Sequence, residues 1–292
     1  MNKEFNKGLL LAGFGSFWWG FFGVIYFKYI AFIGHIELVV HRCLWTAFTL
    51  ILTTFFFSKW NIFFKIVKNK SNLFYLFISG FLIFINWGVW IYAIATNRII
   101  DASFGYFIMP ILSVMLGYLF FKEKLNKKRI FSILLVILSI LFLIIVSIKS
   151  LPWVGLIVAL SWGFYNLVRK KINVDTDIGL LIESLFILPF ITVAFYIITI
   201  NSFNDFDISN PSLMFILMLA GPMTVIPLFL YVRGVELSGL GPAGMIFYIT
   251  PTFQFLLGYF IFKEPMNFEK LLSFILIWIA VFIYMKDLYE KN

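Results

Sequence analysis

Three observations predict an all-α membrane protein with ten transmembrane helices in two inverted five-helix repeats. The first is composition: 62% of the 292 residues are hydrophobic and 13% charged, with a mean hydropathy of +0.99. A soluble domain carries about 25% charged residues, so this chain has about half the usual solvating groups. The second is that apolar residues come in continuous runs. Ten runs approach the roughly 20 residues a bilayer crossing needs: 8–27, 36–57, 73–95, 102–121, 130–148, 152–168, 178–200, 212–232, 241–262 and 269–286. The third is an internal echo. Ala102–Lys124 (ASFGYFIMPILSVMLGYLFFKEK) recurs as Phe247–Pro265 (FYITPTFQFLLGYFIFKEP), matching Pro110 with Pro251, Gly117 with Gly258 and Lys122-Glu123 with Lys263-Glu264 at one offset of 141 residues. So long a period marks a duplicated domain. The first repeat is expected at 1–150 and the second at 151–292, both within one membrane domain.

Orientation follows from the cations between the runs. Alternate gaps, starting with the N-terminus, hold seventeen Lys and Arg; the other gaps hold five, and Arg42 lies inside a run. The positive-inside rule then puts both termini in the cytoplasm. Five crossings per repeat is an odd number, so the two repeats have opposite orientations, an arrangement typical of secondary transporters. The apolar run after Lys3 and Lys7 is too long for a signal peptide and reads as the first span. The gaps 58–72 and 201–211 read as ordinary loops.

Prolines punctuate the runs. Pro152, Pro211 and Pro242 open helices, where a missing N–H costs little. Pro110, Pro189, Pro222, Pro227 and Pro251 fall inside runs, and each removes a backbone hydrogen bond that lipid cannot replace. Both copies of the echoed stretch therefore read as helices interrupted by a proline. Such a duplicated pair points to a transport pathway, with packed kinks as the alternative.

Few polar groups enter the spans. Glu37, His41 and Trp45 are four residues apart on one face of the second span, with Arg42 about 100° round from His41. A charge at that depth costs a few kcal/mol unless paired or hydrated. Arg42 is either a structural ion pair or snorkelling cation, or a guanidinium fork for a substrate carboxylate or phosphate. His41 suits a proton relay or an interhelical hydrogen bond, and Glu37 or Glu183 a coupling proton. Deeper lie Asn86, Trp87, Trp90, Ser103, Tyr106, Trp162, Tyr165, Thr224 and Tyr248. Singly these serve as packing glue; converging, they would line a pocket for a small organic solute. Pro110, Pro227 and Pro251 join Glu37, His41 and Glu183 as candidate gating or coupling residues.

Other chemistry lacks its residues. One cysteine permits no internal disulfide, and His35 and His41 make no zinc cluster, so neither metal nor cofactor is expected. No G-x-x-x-x-G-K-[ST] loop supports ATP-driven pumping, and no acidic or histidine cluster supports a membrane-embedded enzyme. The net charge of +9 follows topology and does not imply nucleic acid. The expected partners are a small-molecule substrate, the bilayer and a coupling proton, in a monomer or homodimer. A non-transporting assembly or sensor subunit is the alternative function.

Glu37, His41, Arg42 and Trp45, then Asn86-Trp87, then Ala102–Pro110 (ASFGYFIMP) resemble the RarD-type branch of the drug/metabolite transporter superfamily, whose members carry EamA domains. So do Ser161–Lys171 (SWGFYNLVRKK), Glu183, Thr224–Leu228 (TVIPL) and Tyr248–Thr252 (YITPT). The resemblance covers nearly the whole chain. It implies two inverted five-helix repeats around a central cavity, alternating access in the inner membrane, and transport of drug-like or amino-acid-like metabolites. Two departures stand out. Met109 replaces an asparagine before the fourth-span proline, and GLGPAGMIFYI at 239–249 lacks the family's glutamine. A pocket built on those two amides would be less polar here.

Overall fold

The computed structural model describes residues 3–96, 99–148, 153–172, 174–201, 203–263 and 268–291. The side chain of Ser103, and Arg98, Lys149, Pro152, Glu264 and Pro265, lie outside the described residues. All regular structure among the described residues is helical. The first half runs α1 (Lys3–Trp18), a π turn (Trp19–Gly23), α2 (Val24–Tyr29), α3 (His35–Phe56), α4 (Trp60–Val67), α5 (Lys70–Ala95), α6 (Ile99–Phe121) and α7 (Lys127–Leu143). The second runs α8 (Trp153–Lys171), α9 (Thr176–Ile200), α10 (Pro211–Met218), α11 (Ala220–Ser238), α12 (Leu240–Ile246), α13 (Ile249–Phe260) and α14 (Phe268–Lys291).

Among the described residues, seven helical stretches are long and apolar enough to cross a membrane: Lys3–Tyr29, His35–Phe56, Lys70–Ala95, Lys127–Val146, Thr176–Ile200, Pro211–Ser238 and Leu240–Phe260. The other three expected runs are helical as well, as α6, α8 and α14. Local chemistry sets several helix starts. Asn69, Asn126 and Asn210 each accept, through Oδ1, the N–H three residues on at 3.0–3.2 Å, and Pro211 follows its cap. Gly34 and Gly239 open α3 and α12 at φ +88° and +95°, a backbone region essentially reserved for glycine.

Two sequence expectations need correction. Residues 58–72 are no simple loop, because Trp60–Val67 forms α4, whose Ile62, Phe63, Ile66 and Val67 cluster with Leu76 of α5 and Ile178 and Ile182 of α9 while Lys59 reaches Asp177 at 2.6 Å. The prolines also break helices differently. α6 runs unbroken through Pro110, as α9 does through Pro189 and α11 through Pro227. The chain is interrupted instead at Leu219 and at Phe247–Tyr248, just before Pro222 and Pro251. A proline fits the first turn of a helix, so a break settles ahead of it more cheaply than at its centre.

Packing relies on small residues, since lipid leaves no hydrophobic drive between helices. Gly8, Gly15 and Gly234 bring α1 against α11, and Gly105 sits on the Gly155 carbonyl of α8. Gly20 likewise lies on Thr250, Gly163 on Leu112 and Gly117 on the Glu123 carboxylate. At one end of the bundle, gaps of the cation-rich set touch one another. Arg129 Nε meets Asp287 at 2.9 Å, and Lys170 Nζ donates to the Val235 and Glu236 carbonyls at 3.1 and 2.6 Å.

Candidate functional site

Arg42 lies on the buried face of α3 and is 1% exposed. Its Nε donates to Thr224 Oγ1 of α11 at 3.2 Å. Ring faces enclose the rest: Trp87 at 4.7 Å, Phe27 at 4.8 Å, Trp90 at 5.3 Å and Trp19 at 6.0 Å. Among the described residues no carboxylate lies within ion-pair distance, and both terminal nitrogens lack a hydrogen-bond partner. The indole N–H of Trp87 lacks one too. Burying a guanidinium costs several kcal/mol, and each ring face returns about 0.5–2 kcal/mol. The cage therefore offsets part of the cost and leaves donors without acceptors. An anionic group is what those donors can bind.

The π turn helps build the cage. One extra residue in the turn rotates Trp19 relative to the helix before it, and such turns loosen the carbonyls they interrupt. Ser16 O accepts a hydrogen bond from Thr250 Oγ1 of α13 at 2.9 Å, and Gly20 packs directly on Thr250. Trp19 then meets Trp162 edge-on at 5.1 Å. Trp162 continues the aromatic layer onto Tyr165, Tyr231 and Phe247, and Tyr106 packs on Phe247 at 5.5 Å.

Of the sequence candidates, Arg42, Trp87, Trp90 and Thr224 come together, with Trp162 and Tyr106 in the adjoining layer. Others are engaged elsewhere. Asn86 Nδ2 donates to the Val158 carbonyl and Ser161 Oγ of α8 at 3.0 and 3.1 Å. Tyr248 Oη donates to the Phe107 carbonyl at 2.9 Å, in a separate cluster with α7 and α14. Glu183 accepts from Ser79 at 2.5 Å and from Tyr165 at 3.2 Å, and pairs with Arg169 at 3.5 Å. Glu37 Oε1 receives His41 Nε2 at 3.3 Å and the Asp205 N–H at 2.7 Å, while Glu37 Oε2 and His41 Nδ1 have no partner. The Phe206 ring covers His41 and Trp45 at 5.1 and 5.8 Å.

Sequence reasoning missed Trp19, Phe27 and Arg169. Arg169 was counted as a loop cation but is 1% exposed, on the last turn of α8. Its signal was available: Trp162, Tyr165 and Arg169 recur at helical spacing on one face. Trp19 and Phe27 carried no such signal, because the π turn shifts the face between them.

The profile of the EamA-like transporter family matches twice, over residues 6–145 and 150–286. Protein RarD of Escherichia coli is 31% identical over 98% of this chain and 96% of its own. An uncharacterized transporter of Vibrio cholerae is 32% identical over 98% of this chain and 94% of its own. The uncharacterized transporter YojE of Bacillus subtilis is 30% identical over 97% of this chain and 95% of its own. With full-length relatives, two profile matches and helices built to cross a membrane, the chain belongs to the EamA-like transporter family, as a RarD-type member of the drug/metabolite transporter superfamily.

Proposed function

We propose that the protein is a secondary transporter that moves a small anionic or zwitterionic organic metabolite across the cytoplasmic membrane by alternating access. The single observation that carries this is the caged Arg42, whose two terminal nitrogens lack an acceptor inside a shell of ring faces. A carboxylate would take both nitrogens in a fork, and the rings would hold the solute's apolar part. Thr224 holds Nε and so aims the fork. Tyr106 and Trp162 line the approach; Asn86, Tyr165 and Tyr248 act as packing residues behind it.

Ten crossings in two inverted repeats frame this site, with 1–150 and 151–292 as the halves and both termini cytoplasmic. Several contacts support the pseudo-twofold relation. Residues separated by the repeat offset touch across it, Tyr106 with Phe247 and Phe107 with Tyr248. Helix pairs also come in twos: α5 with α8 and α11 with α1, α5 with α9 and α11 with α3. Lys122 and Lys263 share a left-handed φ of 54° and 55°, and Gly80 and Gly221 each press on a partner backbone. The coupling proton belongs to the Glu37–His41 pair, which has two unpartnered atoms, and not to Glu183, whose oxygens are filled. Pro110, Pro227 and Pro251 supply the bending points.

Uptake of carboxylated, zwitterionic and cationic solutes into proteoliposomes of the purified protein tests this function. Saturable uptake of the carboxylate-bearing solutes, lost in Arg42→Ala, is expected. Uptake indifferent to Arg42 would remove the site.

A further inference from the structure

The departure GLGPAGMIFYI folds as α12, a buried helix of seven residues with a joint at each end. Gly239 precedes it at φ +95°, and the turn Phe247–Tyr248 follows it. One side of α12 borders an open recess of about 930 Å³, where Pro242 and Gly239 face Lys124, Asn126, Arg129, Lys170 and Tyr284. The other side joins the core that contains the Arg42 cage, through Leu240, Ala243 and Phe247. α12 thus has the recess on one side and that core on the other.

One side chain from the opposite half pins it. Lys122 turns the chain back at φ +54°, and Glu123 then reaches across to α12. Its Oε1 accepts the Leu240 N–H at 2.7 Å and its Oε2 the Gly241 N–H at 2.8 Å. The fit is made by glycines: a Cβ at Gly117, Gly239 or Gly241 would come within 2.6–2.8 Å of the carboxylate. On the other side of Gly239, Lys170 holds the end of α11 through the Val235 and Glu236 carbonyls. Gly239 is the joint between the two anchors.

We propose that α12 is the inner gate of the transport path and Glu123 its latch, so that the recess reaches the Arg42 cage when the carboxylate lets go of Leu240 and Gly241. This deepens the transporter reading and rests on it for its meaning, but its test needs no substrate. In a Cys43→Ala background, Ala243→Cys places a thiol on the core side of α12, where Ala243 is fully buried. A water-soluble maleimide should label it slowly in purified protein. Glu123→Gln can accept only one of the two N–H groups, and Gly239→Ala pushes a methyl into the latch. Each should speed labelling about tenfold or more, the change for one lost charge-assisted hydrogen bond. Faster labelling in every variant that stays monodisperse supports the gate. Parent-like labelling in any of them overturns it, whatever the fate of the uptake assay.

Discussion

Arg42 and Arg169 are each 1% exposed, yet their surroundings call for opposite outcomes on removal. Arg169 lies between Glu183 at 3.5 Å and Glu236 at 3.9 Å and donates to the Thr176 carbonyl at 3.1 Å. Taking away one partner of a buried pair leaves an uncompensated charge, so Arg169→Ala should lose about 3–5 kcal/mol of stability. Thermal unfolding in detergent reads this directly, and an unchanged midpoint would contradict it. Arg42 has no carboxylate to abandon. Arg42→Ala should unfold at or near the parent temperature while losing uptake. Thr224→Val leaves the charge but frees Nε; it should raise KM several-fold with a smaller effect on maximal rate, as expected when one hydrogen bond worth about 1 kcal/mol positions the fork. The sequence marked Arg42 because a charge inside an apolar run stands out. It hid Arg169, because a cation followed by Lys170 and Lys171 looks like a loop until the helix is known to include it.

At the level of the elements, the segment 203–210 closes the end of the bundle remote from the recess. Phe206 lies on His41 and Trp45, and the Asp205 N–H meets Glu37. Its turn is organised by Asp207, whose carboxylate accepts from the Ser209 hydroxyl at 2.8 Å and the Ser209 N–H at 3.2 Å. Those bonds hold the Asp207 carboxyl below its ordinary range, the hydroxyl contributing most. A depressed folded value means the turn's stabilisation is fully present above the ordinary aspartate value near 3.9 and fades only below it. Between about pH 5 and 8 the turn is therefore constant, so it adds no pH dependence of its own to uptake there. Asp207→Asn should keep the pH profile of uptake, whereas Glu37→Gln should flatten it. The reverse pattern would remove the coupling assignment. Helices and their order could be read from hydropathy and cations, because lipid enforces both. The breaks could not: whether a helix runs on through a proline or breaks just before it depends on what packs beside it, as Pro110 and Pro251 illustrate at equivalent positions of the echo.

For the whole molecule, the cation count grouped segments that the structure joins: residues 58–72 to 169–177 through Lys59–Asp177, and 122–129 to the C-terminal tail through Arg129–Asp287. The candidate site was only half visible. Trp87, Trp90, Arg42 and Thr224 sit on three helices whose convergence the sequence did not reveal, and Phe27 and Trp19 reach the cage through a π turn with no sequence mark. Asn86 and Tyr248 were drawn in as polar residues at depth, which is equally what interhelical hydrogen bonds require. In the proposed transport cycle the caged guanidinium binds the anionic group of the solute. The most direct measurement is uptake by proteoliposomes carrying the parent, Arg42→Lys or Arg42→Ala, offered matched solutes with a carboxylate, a zwitterion or a lone ammonium group. Saturable uptake of the first two, weakened by lysine, abolished by alanine and absent for the ammonium solute, is the expected result. Equal uptake of the ammonium solute by parent and Arg42→Ala protein would contradict it.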